Sequence, residues 1–133
     1  MLDFLQTSDV RSVVMGVERL LNSGYIPIVA HIERYSAFYG RMEDVHRISD
    51  SGAIIQINAS SLFHGLLSAT RRQCMKLFSE GLVDVVASDA HGLDSRNPIL
   101  DRAAEFVISK ISYDYAEDVF NRIPRKILKN ERI

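Results

Sequence analysis

The chain has 133 residues, 47% hydrophobic and 25% charged, with a formal net charge of −1. That length holds one domain with a real core, while the near-zero charge removes the electrostatic case for nucleic acid or an anionic membrane as partner. No apolar stretch approaches the ~20 residues of a membrane span, the single cysteine excludes an internal disulfide framework, and the start has no signal-peptide pattern, so a cytoplasmic protein is expected.

The first predicted helix carries Val10, Val13, Val14, Val17, Leu20 and Leu21 on one apolar face. Ser8 or Asp9 caps its start, and Gly24 sits where a left-handed residue ends it. A strand follows over Tyr25–Ala30, with Pro27 near its beginning, where a missing N–H is tolerable. A second helix over 42–51 ends at Gly52 and leads into a strand over Ala53–Asn58. A third over 68–80 ends at Gly81 and leads into the apolar run Leu82–Ala87, read as a buried strand. This helix–glycine–strand rhythm predicts an α/β fold of successive parallel βα units, its strands apolar throughout because both faces are covered. From Pro98 the spacing of Ile99, Ala103, Phe106, Val107 and Ile111 predicts helix, and a second helical stretch spans 113–122. Pro124 interrupts it, and 124–128 starts a last short turn. Residues 1–133 read as one domain.

Parallel sheets gather functional groups where strands end and helices begin. Here the three strands end in His31-Ile32-Glu33-Arg34, Asn58-Ala59-Ser60-Ser61 and Ser88-Asp89-Ala90-His91. In extended chain, residues i and i+2 point the same way, so Asp89 and His91 would converge. The bland reading has Asp89 capping the next helix and His91 in solvent. Three strands delivering such groups to one rim favour a shared site. His31, Asp89 and His91 mix nitrogen with carboxylate oxygen, a set suited to zinc, manganese or iron. Arg34 and Arg96 lie on the same rim loops, and arginine forks bind phosphate bidentately; the competing reading pairs Arg34 with Glu33 and Arg96 with Asp94. Metal and arginines together point to hydrolysis of a phosphate ester.

Other reactive residues fit less well. Cys74 sits among Met75, Leu77 and Phe78 as a buried thiol, and a thiol phosphatase would need an arginine six residues on, where Glu80 stands. His46 lies on a polar helix face and is expected in solvent, His64 is expected to be a plain loop residue, and Tyr35 and Tyr39 are expected beside the site or at its mouth. No glycine-rich phosphate loop or Ser-His-Asp ordering is present.

Three segments carry a resemblance: Ile26-Pro27-Ile28-Val29-Ala30-His31-Ile32-Glu33-Arg34-Tyr35, Gln56-Ile57-Asn58-Ala59-Ser60-Ser61-Leu62, and 81–91 with Arg96 and Pro98 after it. Together with Pro124-Arg125-Lys126-Ile127-Leu128 they resemble the C-terminal half of a PHP (polymerase and histidinol phosphatase) domain. More narrowly, they resemble the metal-dependent tyrosine phosphatases of bacterial capsular and exopolysaccharide synthesis. The resemblance implies part of a distorted, seven-stranded TIM-like barrel. It makes His31, Asp89 and His91 ligands of divalent metal ions, manganese first, and gives Arg34 and Arg96 to the phosphate. Asp3 falls where the family carries a Glu after an apolar strand, here 1–5, and is one methylene shorter.

Family members open with a strand carrying a His-x-His pair and further ligands before the point where this chain begins. The expectation is therefore an N-terminal half absent: an excised fragment, or a remnant that has lost catalysis. A half barrel exposes apolar parallel edges, which predicts a homo-oligomer. The leading function is a phosphotyrosine-protein phosphatase whose substrate is a tyrosine kinase of polysaccharide export. The alternatives are a histidinol-phosphate-like small-molecule phosphatase and a non-catalytic interaction module.

Overall fold

The computed structural model describes residues 2–5, 7–90, 99–131 and 133. Three helix–strand units follow one another: α1 (Val10–Asn22), β1 (Ile28–Val29), α2 (Met42–Asp50), β2 (Ile54–Asn58), α3 (Ala69–Ser79) and β3 (Val85–Ala87). The strands form one parallel sheet in the order β1-β2-β3, with Ile28 opposite Ile54, Ile57 opposite Val86 and Asn58 opposite Ala87. Helices α4 (Ile99–Lys110), α5 (Tyr113–Glu117) and α6 (Ile123–Leu128) complete the described chain. The α/β class and the parallel pairing are those the sequence predicts.

Local chemistry sets the boundaries. Asp9, rather than Ser8, caps α1, its carboxylate accepting the Ser12 N–H at 2.8 Å. Gly24 and Gly81 hold left-handed backbone at φ 81° and 69°. The residues after them, Tyr25 and Leu82, return their N–H groups to the Leu20 and Leu77 carbonyls at 3.0 Å, the closing bond of a Schellman end. Each apolar helix is thereby turned back toward the sheet.

Strand β1 is shorter than expected. Tyr25 and Ile26 are exposed, and Pro27 has no N–H to give a ladder, although its carbonyl accepts the Ile54 N–H at 2.8 Å. The outer side of β1 is met by the N-terminal segment: the Leu2 N–H bonds to Ile28 at 2.7 Å, and the Ala30 N–H bonds back to Leu2 at 3.0 Å. At the other end of the chain, Pro124 does not stop the helix. A π-type turn over Asp118–Arg122 joins α5 to α6, with the Ile123 N–H reaching the Asp118 carbonyl. Pro124 then enters in the first turn of α6, and the widened turn ahead of it gives its ring room.

The two faces of the sheet differ. Val29, Ile55, Ile57 and Val86 pack into one core with Val13, Val17, Val45, Ile48, Leu77 and Phe78 from α1–α3. On the other face, Ile28, Ala30, Gln56, Asn58, Val85 and Ala87 line a pocket of about 450 Å³, to which α6 contributes Pro124, Ile127 and Leu128. Full burial of both faces therefore holds for β2 and not for β1 or β3, whose pocket-side residues are half-buried. Among the described residues, no helix is long and apolar enough to cross a membrane.

Candidate functional site

The rim of the pocket is built by two abrupt strand endings. Immediately after β1, His31 adopts left-handed backbone (φ 38°, ψ 46°) and opens a 3₁₀ turn over Ile32–Arg34. After β3, Asp89 also has a positive φ, at 54°. Left-handed backbone is uncommon for residues with a Cβ and costs of order 1 kcal/mol each, so something must hold both.

His31 is held from two sides. Its N–H donates to Gln56 Oε1 at 2.8 Å, and its Nε2 lies 3.0 Å from Asp3 Oδ1. Its Nδ1 is buried without a hydrogen-bond partner. Asp3 reaches this place because its neighbour Phe4 is seated on α1: a Cβ at Gly16 would come within 2.7 Å of Phe4 Cζ, so only glycine lets the ring lie there. The Phe4 N–H donates to the Tyr35 hydroxyl at 3.0 Å. Tyr35 is fully buried, edge-on to His31 with ring centroids 5.5 Å apart, and burial pushes its hydroxyl above the ordinary range.

Glu33 is also fully buried. Its Oε1 accepts the Ser61 hydroxyl at 2.7 Å and the Asn58 N–H at 3.2 Å, while its Oε2 has no partner. Burial pushes its carboxyl above the usual carboxylate range, against the pull of those two donors and of Arg34. The Arg34 Nε lies 3.8 Å from Glu33 Oε1, and its Nη1 lies 3.6 Å from Asp89 Oδ2. The competing pairing of Arg34 with Glu33 is thus present, with the carboxylate in the core rather than at the surface. Asp89 Oδ2 also accepts from Asn58 Nδ2 at 2.7 Å.

The structure therefore brings His31, Asp89, Arg34 and Asp3 to one rim, with Asp3, His31 and Asp89 lining the pocket. The predicted residues His91, Arg96 and Pro98 lie outside the described residues. Nitrogen and carboxylate donors of this kind suit borderline divalent metals, and His31 Nδ1 is a buried polar atom still wanting a partner. The donor chemistry fits a metal, but among the described residues no group of three or more His, Cys, Asp or Glu side chains is gathered to hold one. Cys74 is buried as expected, its thiol pushed far up by that burial. His64 lies exposed in the loop following β2. Tyr39 bonds to the Thr70 hydroxyl at 3.2 Å. His46 keeps much of its ring in solvent, as expected, but its Nε2 is also 2.7 Å from Glu80 Oε2, a contact that joins α2 to the end of α3. Sequence reasoning gave Glu33 only the part of a competing partner for Arg34, placed Asn58 at the rim without a function, and assigned nothing to Gln56. The available signal was the run Ile54-Ile55-Gln56-Ile57-Asn58, where two amides share one parity in an otherwise apolar strand.

Comparison with known proteins bears on family and fold. The family model for capsular polysaccharide synthesis, CpsB/CapC, matches residues 1–129. Tyrosine-protein phosphatase CpsB of Streptococcus pneumoniae is 31% identical over 138 residues, covering 100% of this chain and 57% of that protein. The putative tyrosine-protein phosphatase CapC of Staphylococcus aureus is 32% identical over 114 residues, covering 86% of this chain and 44% of its own length. Among solved structures, a chain from the metal-dependent tyrosine phosphatases YwqE of Bacillus subtilis and CpsB of Streptococcus pneumoniae superposes with a TM-score of 0.83 at 24% identity. It is matched over 98% of this chain and 52% of that one, a likeness of fold. The chain thus spans about half the length of these relatives. With residues 1–129 matched to its model, the chain belongs to the CpsB/CapC family of capsular polysaccharide synthesis proteins.

Proposed function

We propose that this chain is part of a metal-dependent phosphatase that removes phosphate from phosphotyrosine proteins in capsular or exopolysaccharide synthesis, a tyrosine kinase of polysaccharide export being the substrate. The names of the relatives support the class of reaction. The observation that carries it physically is Arg34 lying 3.6 Å from Asp89, a residue that lines an apolar-walled pocket. In this reading His31 and Asp89, with the sequence candidate His91, would hold a divalent ion, manganese first and iron or zinc as alternatives. That ion supplies Lewis acidity toward a phosphate oxygen. Arg34, joined by Arg96, takes phosphate oxygens in its fork. Its pairing with pocket-lining Asp89 and with buried Glu33 restrains the guanidinium beside the site. Ile28, Ala30, Val85 and Ala87 offer apolar walls to a phenyl ring, which favours an aryl phosphate over a polar small-molecule ester.

The same reading takes the three strands as part of a seven-stranded PHP-type barrel and residues 1–133 as one partial domain. The open pocket face would be the side that the rest of such a barrel covers, and the homo-oligomer expected from its apolar edges belongs to this proposal. The test is turnover of p-nitrophenyl phosphate with added manganese. Asp89→Asn is expected to lower it by roughly 100-fold or more, since the losses from outer-shell residues alone reach that size, with the melting temperature little changed, because asparagine tolerates the left-handed backbone and still accepts from Asn58. Activity retained in that variant would overturn the site. Preference for histidinol phosphate would move the substrate, and a parent chain that neither binds manganese nor turns over either ester would favour the interaction module.

A further inference from the structure

Three hydrogen bonds run head to tail across the ends of all three strands. The His31 N–H donates to Gln56 Oε1 at 2.8 Å, Gln56 Nε2 donates to Asn58 Oδ1 at 2.9 Å, and Asn58 Nδ2 donates to Asp89 Oδ2 at 2.7 Å. Every donor points the same way, from the end of β1 through β2 to a carboxylate after β3. Chains of this sense polarise one another in a low-dielectric interior, and a charged terminal acceptor strengthens the last bond. Gln56 is 6% exposed and Asn58 is fully buried, so water cannot substitute for either amide. The chain is also anchored: Gln56 Nε2 donates to the Ile57 carbonyl at 2.7 Å, and the Asn58 N–H donates to Glu33 Oε1 at 3.2 Å. Its two ends are the two left-handed residues of the rim, His31 and Asp89.

We infer that Gln56 and Asn58 are the positioning residues of the site, a two-amide relay on the middle strand that fixes His31 and Asp89 relative to each other. This rests on the reading of His31 and Asp89 as the metal-binding groups. Apolar residues at 56 and 58 would satisfy packing against the pocket equally well, because their strand neighbours Val85 and Ala87 line the same pocket. Amides are needed only to accept from one strand end and donate to the other. Each amide both accepts and donates within the chain, so either one missing breaks the link between the ends. A carboxylate or hydroxyl at 58 could not reproduce the pattern. A carboxylate has no donor for Asp89, and a serine hydroxyl is too short to span both partners.

The experiment uses Gln56→Met, which keeps the volume and removes both hydrogen-bonding groups, and Asn58→Ser, alone and combined. The first readout needs no metal: exchange of the His31 amide proton, followed by NMR. Gln56→Met should speed it about tenfold by removing its acceptor. Asn58→Ser, which does not touch His31, should also speed it, because Gln56 loses the anchor that orients it. The second readout is affinity for Mn²⁺ by calorimetry, expected to fall about 10- to 100-fold in each single variant. The double variant should be no weaker than the worse single one, since the relay acts as a unit. An unchanged His31 exchange rate in Asn58→Ser, or losses that multiply in the double variant, would overturn the inference. Should Asn58→Ser not fold, the backbone resonances of Asp89 in Gln56→Met decide, because Asp89 is linked to Gln56 through Asn58. They shift if the relay exists and stay in place if it does not. A parent chain that binds no Mn²⁺ would refute the metal reading while the exchange measurement still judges the relay.

Discussion

The two faces of the sheet are made by alternate residues of the same three strands, yet they have opposite characters. Val29, Ile55, Ile57 and Val86 are closed off under α1–α3, whereas Ile28, Ala30, Val85 and Ala87 stand around an open pocket with two amides between them. Side-chain direction in a strand alternates with period two, so neighbouring positions separate stability from chemistry within a stretch of five residues. The helix face supplies the burial that holds the sheet. The pocket face spends its buried positions on Gln56 and Asn58, which pack no better than leucine would and must be satisfied by one another. That is the pattern of a face kept for a site.

The sharpest way to break this comparison is to truncate one residue on each face. Ile57 is fully buried, and Ile57→Ala should cost about 2–5 kcal/mol through lost transfer energy plus the cavity left behind. Val85 faces the pocket half-buried, and Val85→Ala should cost about 1 kcal/mol or less. Urea unfolding of the two variants checks it. Equal losses would mean that both faces are packed alike and that the pocket is closed in solution.

The same alternation explains what could be read in advance. Helix positions followed from the spacing of valines and leucines and from Gly24, Gly52 and Gly81, because those signals act within one element. His31, Arg34 and Asp89 could be placed at one rim because parallel connectivity alone brings strand ends together. The burial of Glu33 was not legible because a glutamate beside an arginine reads as a surface pair. Its burial depends on the 3₁₀ turn that follows a left-handed His31 and on Ser61 arriving from another unit. The short β1 and the helical passage through Pro124 were likewise settled by tertiary pairing, with Leu2 meeting β1 and a widened turn accommodating the proline. The partner of His46 was not legible because Glu80 lies one whole unit away.

A smaller effect is expected where the faces meet. Tyr35 has its ring in the helix-side core, and its hydroxyl accepts the Phe4 N–H. Tyr35→Phe keeps the ring and removes that acceptor, which should cost about 1 kcal/mol. The consequence should reach the pocket side, because Phe4 sets the segment that carries Asp3 to His31. Solution NMR should show the His31 ring resonances shifting while the core methyl groups stay in place. An unmoved His31 would mean that Asp3 is held without Phe4.

The smallest effect is a pH dependence at the far end of the sheet, away from the rim. Asp84 precedes β3; its Oδ2 accepts the Ile55 N–H at 2.8 Å, and its own N–H returns to the Ile55 carbonyl at 2.9 Å. Burial raises its carboxyl above the ordinary 3.8, with that hydrogen bond opposing. The native state therefore holds the Asp84 proton more tightly than the unfolded chain does. Its ionisation weakens the fold as pH rises from about 4 through the raised native value, and the full cost is present above it. Asp84→Asn keeps an oxygen to accept from Ile55 and removes the charge. The variant should be at least as stable as the parent at pH 7, with the parent gaining on it as pH falls toward 4. Urea midpoints of both proteins at pH 7 and pH 5 test this, because other groups cancel in the difference. If the parent instead loses ground to the variant on acidification, the Asp84 carboxylate is stabilised by its bond to Ile55 more than burial opposes it, and the far end of the sheet depends on a charge as the rim does.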